Sequence, residues 1–278
     1  MIKFIYKIVT FIVLIIFVII SCISCEDVVD IELNTDNPRL VIEASIIWKK
    51  GTIGNEQKIK ISTTTDFYST TIPVVSGATV FITDSSNTYS FIENIGTGEY
   101  FCSNFNPVIN ETYVLTVMHN GETYTATEKL TAVPIIDSVG QTENGGFLGT
   151  EIEIKFFFQD DAAVHNFYFY QFNSNFSQLP EYDVNDDNFF QGNQMFGLYT
   201  NEKMEVGDEL TFTLHGISER YFNYLNILLS LSGGNGGSPF STPPATLRGN
   251  FVNQTNSNNF VFGYFSVSET DVNSYIVQ

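Results

Sequence analysis

Two cysteines near the N-terminus have neighbours suited to covalent lipid attachment. Cys22 and Cys25 follow an apolar run at residues 8–20, and small or apolar residues precede them. This arrangement resembles the bacterial lipobox, at which signal cleavage leaves the cysteine as a diacylated N-terminus. Two acyl chains, such as palmitate, anchor a protein lastingly, whereas one chain binds marginally. Both cysteines are candidates, and the acidic pair Glu26 and Asp27 directly after Cys25 favours Cys25.

Residues 1–24 have the features of a lipoprotein signal peptide. Lys3 and Lys7 precede an apolar run of 13 residues, which is shorter than the roughly 20 residues that a membrane-spanning helix needs. A single N-terminal membrane anchor is the alternative. Residues 25–38 then hold five acidic residues and no basic one, which predicts a solvated tether between the lipid and the first domain.

The three histidines do not form a recognisable catalytic or metal-binding motif. His119, His165 and His215 lie far apart in the sequence, and none has a cysteine, histidine or carboxylate at metal-ligand spacing. Neither a nucleophile elbow nor a phosphate-binding loop occurs. We therefore expect no catalytic residues, no cofactor and no metal, and a protein that is not an enzyme.

One acidic stretch carries a weak calcium signal. Asp183, Asn185 and Asp187 occupy positions one, three and five of a calcium-type loop, but position six is Asn188 rather than glycine and position twelve is Gln194 rather than glutamate. A solvated acidic loop is the favoured interpretation. A hydrolase is a third alternative, which would need two carboxyl groups about 5–9.5 Å apart; its candidate acids are Asp160, Asp161, Asp186 and Asp187.

An aromatic segment is the candidate contact surface. Five aromatic residues lie among Asn, Gln and Asp in a stretch predicted to be irregular, residues 173–197. Such rings suit a sugar or a partner protein, although folding back onto their own domain is the favoured interpretation, because a loop of this length needs contacts to hold it. The five are Phe176, Tyr182, Phe189, Phe190 and Phe196.

Residues 137–139 fit a three-residue pattern for O-glycosylation at Ser138.

Charge excludes one class of partner. The formal net charge is −19, so few cations are available to bind nucleic-acid phosphate.

Without Cys22 and Cys25 the chain keeps only Cys102, so no intramolecular disulfide is expected, and Cys102 is predicted to be a buried thiol.

The elements that would carry these residues are mainly β-strands. Seven short runs between residues 40 and 129 are separated by turn signals, which is typical of a β-sandwich. Asn120 and Gly121 predict a two-residue hairpin turn. Further strands are predicted at residues 151–158, 167–172, 210–215 and 260–267, and a helix near residues 218–232 with Ser218 as its N-cap. We predict an all-β protein: an Ig-like or transthyretin-like β-sandwich at 39–134, and a β-rich domain with one packed helix at 135–278.

The chain resembles the Bacteroidota surface lipoproteins of domain-of-unknown-function family 4249. The motifs that carry this resemblance follow one another along nearly the whole chain after the signal peptide. They are CEDVVD at 25–30, LVIEA at 40–44, GATV at 77–80, GEY at 98–100, TYTAT at 123–127, YFNYL at 221–225, GGSPF at 236–240 and GYF at 263–265. In such proteins an acidic pair like Glu26 and Asp27 acts as a signal for export to the outer face of the outer membrane.

The resemblance implies a location and a partner but no reaction. We expect a lipid-anchored, surface-exposed protein of the outer membrane, which acts as an accessory or ligand-capture subunit of a TonB-dependent transporter. A glycan or peptide is the expected ligand class, and nucleic acid is not expected. The alternative is a freestanding carbohydrate-binding or adhesive surface module that uses the aromatic segment.

Overall fold

The computed structural model describes residues 37–146, 148–232 and 247–278, together with residues 3–6, 11, 12 and 14. The chain divides into two units, Met1–Asp36 and Asn37–Gln278. The described residues of the first unit are helical. Among the residues that the structure describes, no helix is both long and apolar enough to cross a membrane. Cys22, Cys25, Glu26 and Asp27 lie outside the described residues.

The second unit is built almost entirely from β-strands, so the predicted all-β class is confirmed. One helix, α1, spans Glu219–Leu231. The strands are β1 Leu40–Lys49, β2 Gln57–Thr63, β3 Thr79–Thr83, β4 Thr88–Asn94, β5 Glu99–Cys102, β6 Thr112–His119, β7 Glu122–Lys129, β8 Ile136–Gly145, β9 Glu151–Gln159, β10 Phe167–Ser174, β11 Glu181–Asp186, β12 Gln194–Thr200, β13 Glu209–Ile217, β14 Val252–Asn253 and β15 Phe265–Ile276.

The first seven strands form a sandwich, and all seven predicted runs are confirmed. β2 and β5 pair beside the first half of β1, while β3, β6, β7 and β14 form the other layer. β4 pairs with both layers, with β3 first and then with β5. Alternate side chains such as Ile59, Ile61 and Leu115 are fully buried in the first core. The predicted hairpin turn is also confirmed, with positive φ at Asn120 (49°) and Gly121 (79°).

A second sandwich packs a sheet in the order β11-β10-β13-β15-β1 against the three-stranded sheet β12-β9-β8. Its core is strongly aromatic. Phe212 of β13 lies 5.0 Å from Phe156 of β9 and 4.9 Å from Phe172 of β10, measured between ring centroids. Strand alternation turns Phe156 inward and leaves Phe157 on the opposite face, against Phe196.

β1 and β15 belong to both sandwiches. The second half of β1 pairs in parallel with β15, from Ala44 opposite Phe265 to Lys49 opposite Thr270. The rest of β15 pairs with β13. Phe265 and Val267 are buried in the first core, whereas Val277 is buried in the second. The C-terminal part of the chain therefore contributes to the cores on both sides of the predicted boundary at residue 134.

Two predicted stretches differ from the structure, and β8 was not predicted as a strand. The stretch 173–197 is not irregular, because it contains β11 and the start of β12. The last strand runs from Phe265 to Ile276 rather than over residues 260–267. The physical reason is the same in both cases: polar side chains such as Asp183, Ser268 and Ser274 occupy strand positions, so the apolar alternation that reveals a strand is weak.

α1 packs on the sheet face opposite the second core, and its prediction is confirmed. Ser218 is the N-cap, since its side chain accepts a hydrogen bond from the Tyr221 amide at 3.2 Å. Leu225 and Leu229 are buried, and the ring of Phe222 lies 5.2 Å from that of Phe167 on β10. The helix thus covers the outer face of a sheet whose inner face already has a core.

Candidate ligand cavity

A cavity of about 310 Å³ lies between α1 and the sheet formed by β1, β15, β13, β10 and β11. This volume is at the lower end of the range that is usual for small-molecule sites. The inner face of the same sheet is filled with aromatic side chains, whereas the face toward α1 carries polar side chains such as Ser45 and Ser266 beside the aromatic Phe169 and Tyr182. The cavity exists because the helix bridges this face without filling it.

The floor of the cavity is polar. Side chains on a strand point alternately to its two faces. Phe265 and Val267 of β15 are therefore buried in the first core, whereas Ser266 and Ser268 point toward the helix. The Ser266 Oγ atom lies 3.3 Å from the Oγ atom of Ser45 on the neighbouring β1. Three hydroxyl groups therefore come together on this floor from two parallel strands.

His215 is the most unusual lining residue. It is only 4% exposed, and its Nδ1 atom lies 3.4 Å from the Oγ atom of Ser268. Its Nε2 atom is buried and has no hydrogen-bond partner in the part of the chain that the structure describes. Burial lowers the pKa of His215 to about 4, so the imidazole is neutral near pH 7. A buried polar atom without a partner is costly, so His215 is a lining residue with an unmet hydrogen bond.

One wall is aromatic. The rings of Phe169 on β10 and Tyr182 on β11 stack with centroids 5.5 Å apart. Phe169 also lies 4.9 Å from the ring of His215. Gln171, two residues further along β10, lines the cavity on the same strand face. Flat rings beside an amide suit a ligand with an apolar body.

The roof is the apolar stripe of α1. Leu225, Leu228 and Leu229 face the cavity, and Tyr221 lies at its N-terminal side. The Tyr221 ring stacks on Tyr264 at 4.5 Å between centroids. Burial raises the pKa of Tyr221 to about 12, so this hydroxyl stays protonated at neutral pH. Among the described residues that line the cavity, none carries a formal charge at neutral pH.

The five predicted aromatic contact residues are not brought together. Tyr182 lines the cavity, while Phe176 packs against the second core. Phe189 and Phe190 lie in the turn between β11 and β12, where they are 92% and 46% exposed. Phe196 lies on the outer face of the three-stranded sheet, with the Lys155 ammonium 5.2 Å from its ring centroid.

The acidic residues of the weak calcium candidate have other roles. Asp183 and Asn185 lie on β11, opposite Tyr170 and Tyr168, in an extended strand rather than a metal-binding loop. Asp187 is fully buried; it accepts a hydrogen bond from the Asn166 amide at 2.8 Å and contacts the His165 imidazole. In the described ranges, no group of three or more His, Cys, Asp or Glu residues is placed to hold a metal ion.

The remaining candidate acids also bond within the fold. Buried Asp160 accepts hydrogen bonds from the Tyr168 hydroxyl at 2.5 Å and from the Gly192 amide at 2.8 Å. Asp161 and Asp186 each accept from a backbone amide two residues later, those of Ala163 and Asn188. These carboxylates hold the turns at one end of the second sandwich.

Two further residues singled out from the sequence, Ser138 and Cys102, do not line the cavity. Ser138 is exposed near the start of β8, where its hydroxyl donates to Asp137 at 2.9 Å. Cys102 is a free, buried cysteine, as predicted. The residues predicted to carry lipid or to act as an export signal, Cys22, Cys25, Glu26 and Asp27, lie in the part of the chain that the structure does not describe.

Sequence reasoning did not identify the floor of the cavity. The signal that could have found it is the alternation of residues 264–268, in which Ser266 and Ser268 interrupt apolar neighbours. His215 is likewise a polar residue at an outward position, at the end of the alternating stretch 210–215 on β13. A polar residue at the outward positions of a strand predicts solvent exposure by default, and only the presence of α1 above these residues makes them part of a cavity.

One family model matches most of the chain. The family model described as "Domain of unknown function (DUF4249)" matches residues 26–274. The chain therefore belongs to this family. A search of curated proteins finds no match.

Two solved structures are among those that match this chain. A two-domain fibronectin type III segment from chicken tenascin has 9% sequence identity, with 65% of this chain and 91% of that chain covered and a TM-score of 0.22. A cytokine receptor complex has 7% identity, with 64% and 82% covered and a TM-score of 0.24. Both TM-scores are low, and no conclusion about function follows from either likeness.

Proposed function

We propose that this protein is a lipid-anchored, surface-exposed outer-membrane protein that captures a ligand for a TonB-dependent transporter. The observation that carries the ligand-capture part is the cavity between α1 and the sheet, with an unpartnered buried His215 Nε2 atom. The cavity has the mixture that is typical of binding sites: an apolar lining and a few convergent polar groups.

The sequence supports the membrane location. Cys25, or alternatively Cys22, supplies the acylation site, and Glu26 and Asp27 supply the acidic export signal. Since the first 24 residues carry no acid and two of the twelve basic residues, the chain after the signal peptide has a formal charge of −21. A charge this negative keeps the folded part solvated and away from an anionic lipid surface.

Binding without catalysis fits the groups that line the cavity. General acid–base catalysis needs a side chain whose pKa lies near the working pH. The pKa of His215 is lowered by burial to about 4 and that of Tyr221 is raised by burial to about 12. Neither group changes protonation near pH 7, so both act as fixed hydrogen-bonding groups in this proposal.

The partner is tested by cross-linking in intact cells. Tagged full-length protein is cross-linked, purified from detergent-solubilised outer membranes and analysed for transporters by mass spectrometry, with Cys25→Ser as the matched control. We expect a TonB-dependent transporter with the wild-type protein and its loss in the control. Recovery of the wild-type lipoprotein with no transporter would contradict the partner assignment.

A second candidate function rests on a different surface. Phe189 projects from the β11–β12 turn with 92% of its side chain exposed, next to half-exposed Phe190. Exposed aromatic rings of this kind are typical of carbohydrate-binding or adhesive contacts. Binding on a glycan array that disappears in the Phe189→Ala, Phe190→Ala double variant would favour this function over ligand capture in the cavity.

A further inference from the structure

The lining of the cavity limits the chemistry of its occupant. Burying a charge without an opposite charge or a full set of hydrogen bonds is strongly unfavourable. No formally charged side chain is found among the described residues of the lining. A carboxylate or ammonium group would therefore enter without a counter-ion, and the negative chain disfavours anions further.

The helix side of the lining is mainly apolar, and the sheet side carries most of the polar groups. Leu225, Leu228 and Leu229 form the helix side, while His215 and Ser268 lie on the sheet side. An occupant that satisfies both sides has a mainly apolar body and a polar group at one end. Ser266 and Ser268 lie close to Ser45 and His215, and the Nε2 atom of His215 is a buried polar atom of a lining residue that has no partner among the described residues.

A hydroxyl group is the polar group that fits this position most generally. If Nδ1 of neutral His215 carries the proton, Nε2 accepts a hydrogen bond; if Nε2 carries it, Nε2 donates one. A hydroxyl can serve as the partner in both cases, whereas a carbonyl only accepts. The aromatic pair Phe169 and Tyr182, with centroids 5.5 Å apart, provides a flat wall for a ring in the body of the same molecule.

We propose that the cavity binds an uncharged, mainly apolar ring compound through one hydroxyl group, which forms a hydrogen bond with Nε2 of His215. This inference rests on the proposed ligand-capture function and assigns the chemical class of its ligand. His215 selects the ligand by its hydroxyl, and the leucines of α1 enclose the ring.

Three matched probes test the class of ligand: 2-naphthol, 2-methylnaphthalene and 2-naphthoate. They share a ring system and differ in one substituent, which is a hydroxyl, a methyl or a carboxylate. Each is titrated into the detergent-solubilised full-length protein labelled with ¹⁵N-histidine. Free probe concentrations are measured by equilibrium dialysis. The chain has only three histidines, so the His119 and His165 signals serve as internal controls for that of His215.

The expected result is that 2-naphthol shifts the His215 signal and binds more tightly than 2-methylnaphthalene by about threefold to tenfold, the value of one net hydrogen bond. 2-Naphthoate should bind most weakly. In the His215→Phe variant the two neutral probes should bind equally by dialysis. The His215→Gln variant, which keeps a hydrogen-bonding side chain, should retain part of the preference.

Two variants on α1 locate the binding. Leu229→Trp places an indole in the cavity and should abolish binding, while Ile227→Trp places the same ring on a helix position outside it and should leave binding unchanged. If 2-naphthoate binds most tightly, or 2-methylnaphthalene as tightly as 2-naphthol, the assigned class is wrong while ligand capture stands. If no probe shifts the His215 signal, the assigned class is refuted, and ligand capture is then judged by whether the natively purified protein carries an adduct that folded Leu229→Trp lacks.

Discussion

The Nδ1 atom of His215 lies 3.4 Å from the Oγ atom of Ser268, on the sheet face that α1 covers. This contact joins β13 to β15, the strand that enters both sandwiches. It leaves the Nε2 atom of His215 turned away from the hydroxyl and without a partner among the described residues. The arrangement gives a cavity of about 310 Å³ a neutral hydrogen-bonding group beside the serine hydroxyls of its floor.

Acid should destabilise the fold through His215. Burial lowers the pKa of His215 from 6.5 to about 4, so the unfolded chain binds a proton between these values while the folded chain does not. His215 therefore lowers the free energy of unfolding as pH falls from about 6.5 to about 4, by about 2 kcal/mol between pH 7.5 and pH 5. Urea denaturation of the wild type and His215→Phe at several pH values measures the difference.

The comparison with His215→Phe removes the effects of other groups. Burial raises the pKa of Glu128, so Glu128 acts in the opposite direction and stabilises the fold as pH falls. Both proteins contain Glu128, and the tyrosines that line the cavity do not titrate in this range. A stability difference between the two proteins that is the same at pH 7.5 and pH 5 would contradict the assignment to His215.

Gly216 should not tolerate a side chain. A Cβ atom on Gly216 would lie 2.1 Å from the backbone oxygen of Ala132, in the segment between β7 and β8. We expect Gly216→Ala to lower the free energy of unfolding by about 3 kcal/mol, because backbone must move to relieve the overlap. Gly140→Ala is the matched control: its nearest neighbour is the edge of the Phe157 ring at 3.1 Å, and it should cost much less in thermal or urea denaturation.

The N-cap of α1 should contribute to stability. Ser218→Ala removes the acceptor of the Tyr221 amide hydrogen bond and should cost about 1 kcal/mol. Ser230→Ala is the control on the same helix, since Ser230 is exposed and its hydroxyl donates a hydrogen bond to the backbone oxygen of Ile227. Equal urea midpoints for the two variants would show that the cap is not formed in solution.

The two classes of aromatic residue should respond differently to truncation. Phe156 is fully buried in the second core, so Phe156→Ala should cost about 3–5 kcal/mol. Phe189 is 92% exposed, and Phe189→Ala should change the free energy of unfolding by less than about 0.5 kcal/mol. A large loss of stability in Phe189→Ala would mean that the β11–β12 turn packs against the fold instead of projecting from it.

The sequence predicted strands where one face of the strand is apolar. The seven strands of the first sandwich, the Asn120–Gly121 turn and the Ser218 cap all follow from local patterns. β8, β11 and the second half of β15 were missed because residues such as Asp183 and Ser274 are polar on strands that pair at their backbones. Backbone pairing does not depend on the hydropathy of the side chains, so these strands could be identified only from the three-dimensional structure.

The cavity could not be predicted for a different reason. Its floor depends on the parallel pairing of β1 with β15, which brings Ser45 within 3.3 Å of Ser266 from 221 residues away in the chain. No local pattern encodes a contact of that separation. The setting of Tyr182 among polar residues identifies it as a contact residue, whereas its partner Phe169 lies in the predicted strand 167–172 and carries no such signal.

The most direct test of the central claim, ligand capture in the cavity, is native mass spectrometry of the full-length protein purified from the cells that produce it. We expect a small-molecule adduct on the wild-type protein and on Ile227→Trp, and none on Leu229→Trp, in which an indole fills the cavity. Thermal denaturation confirms that both variants are folded. A wild-type protein without an adduct, or an adduct that persists in folded Leu229→Trp, would contradict the claim.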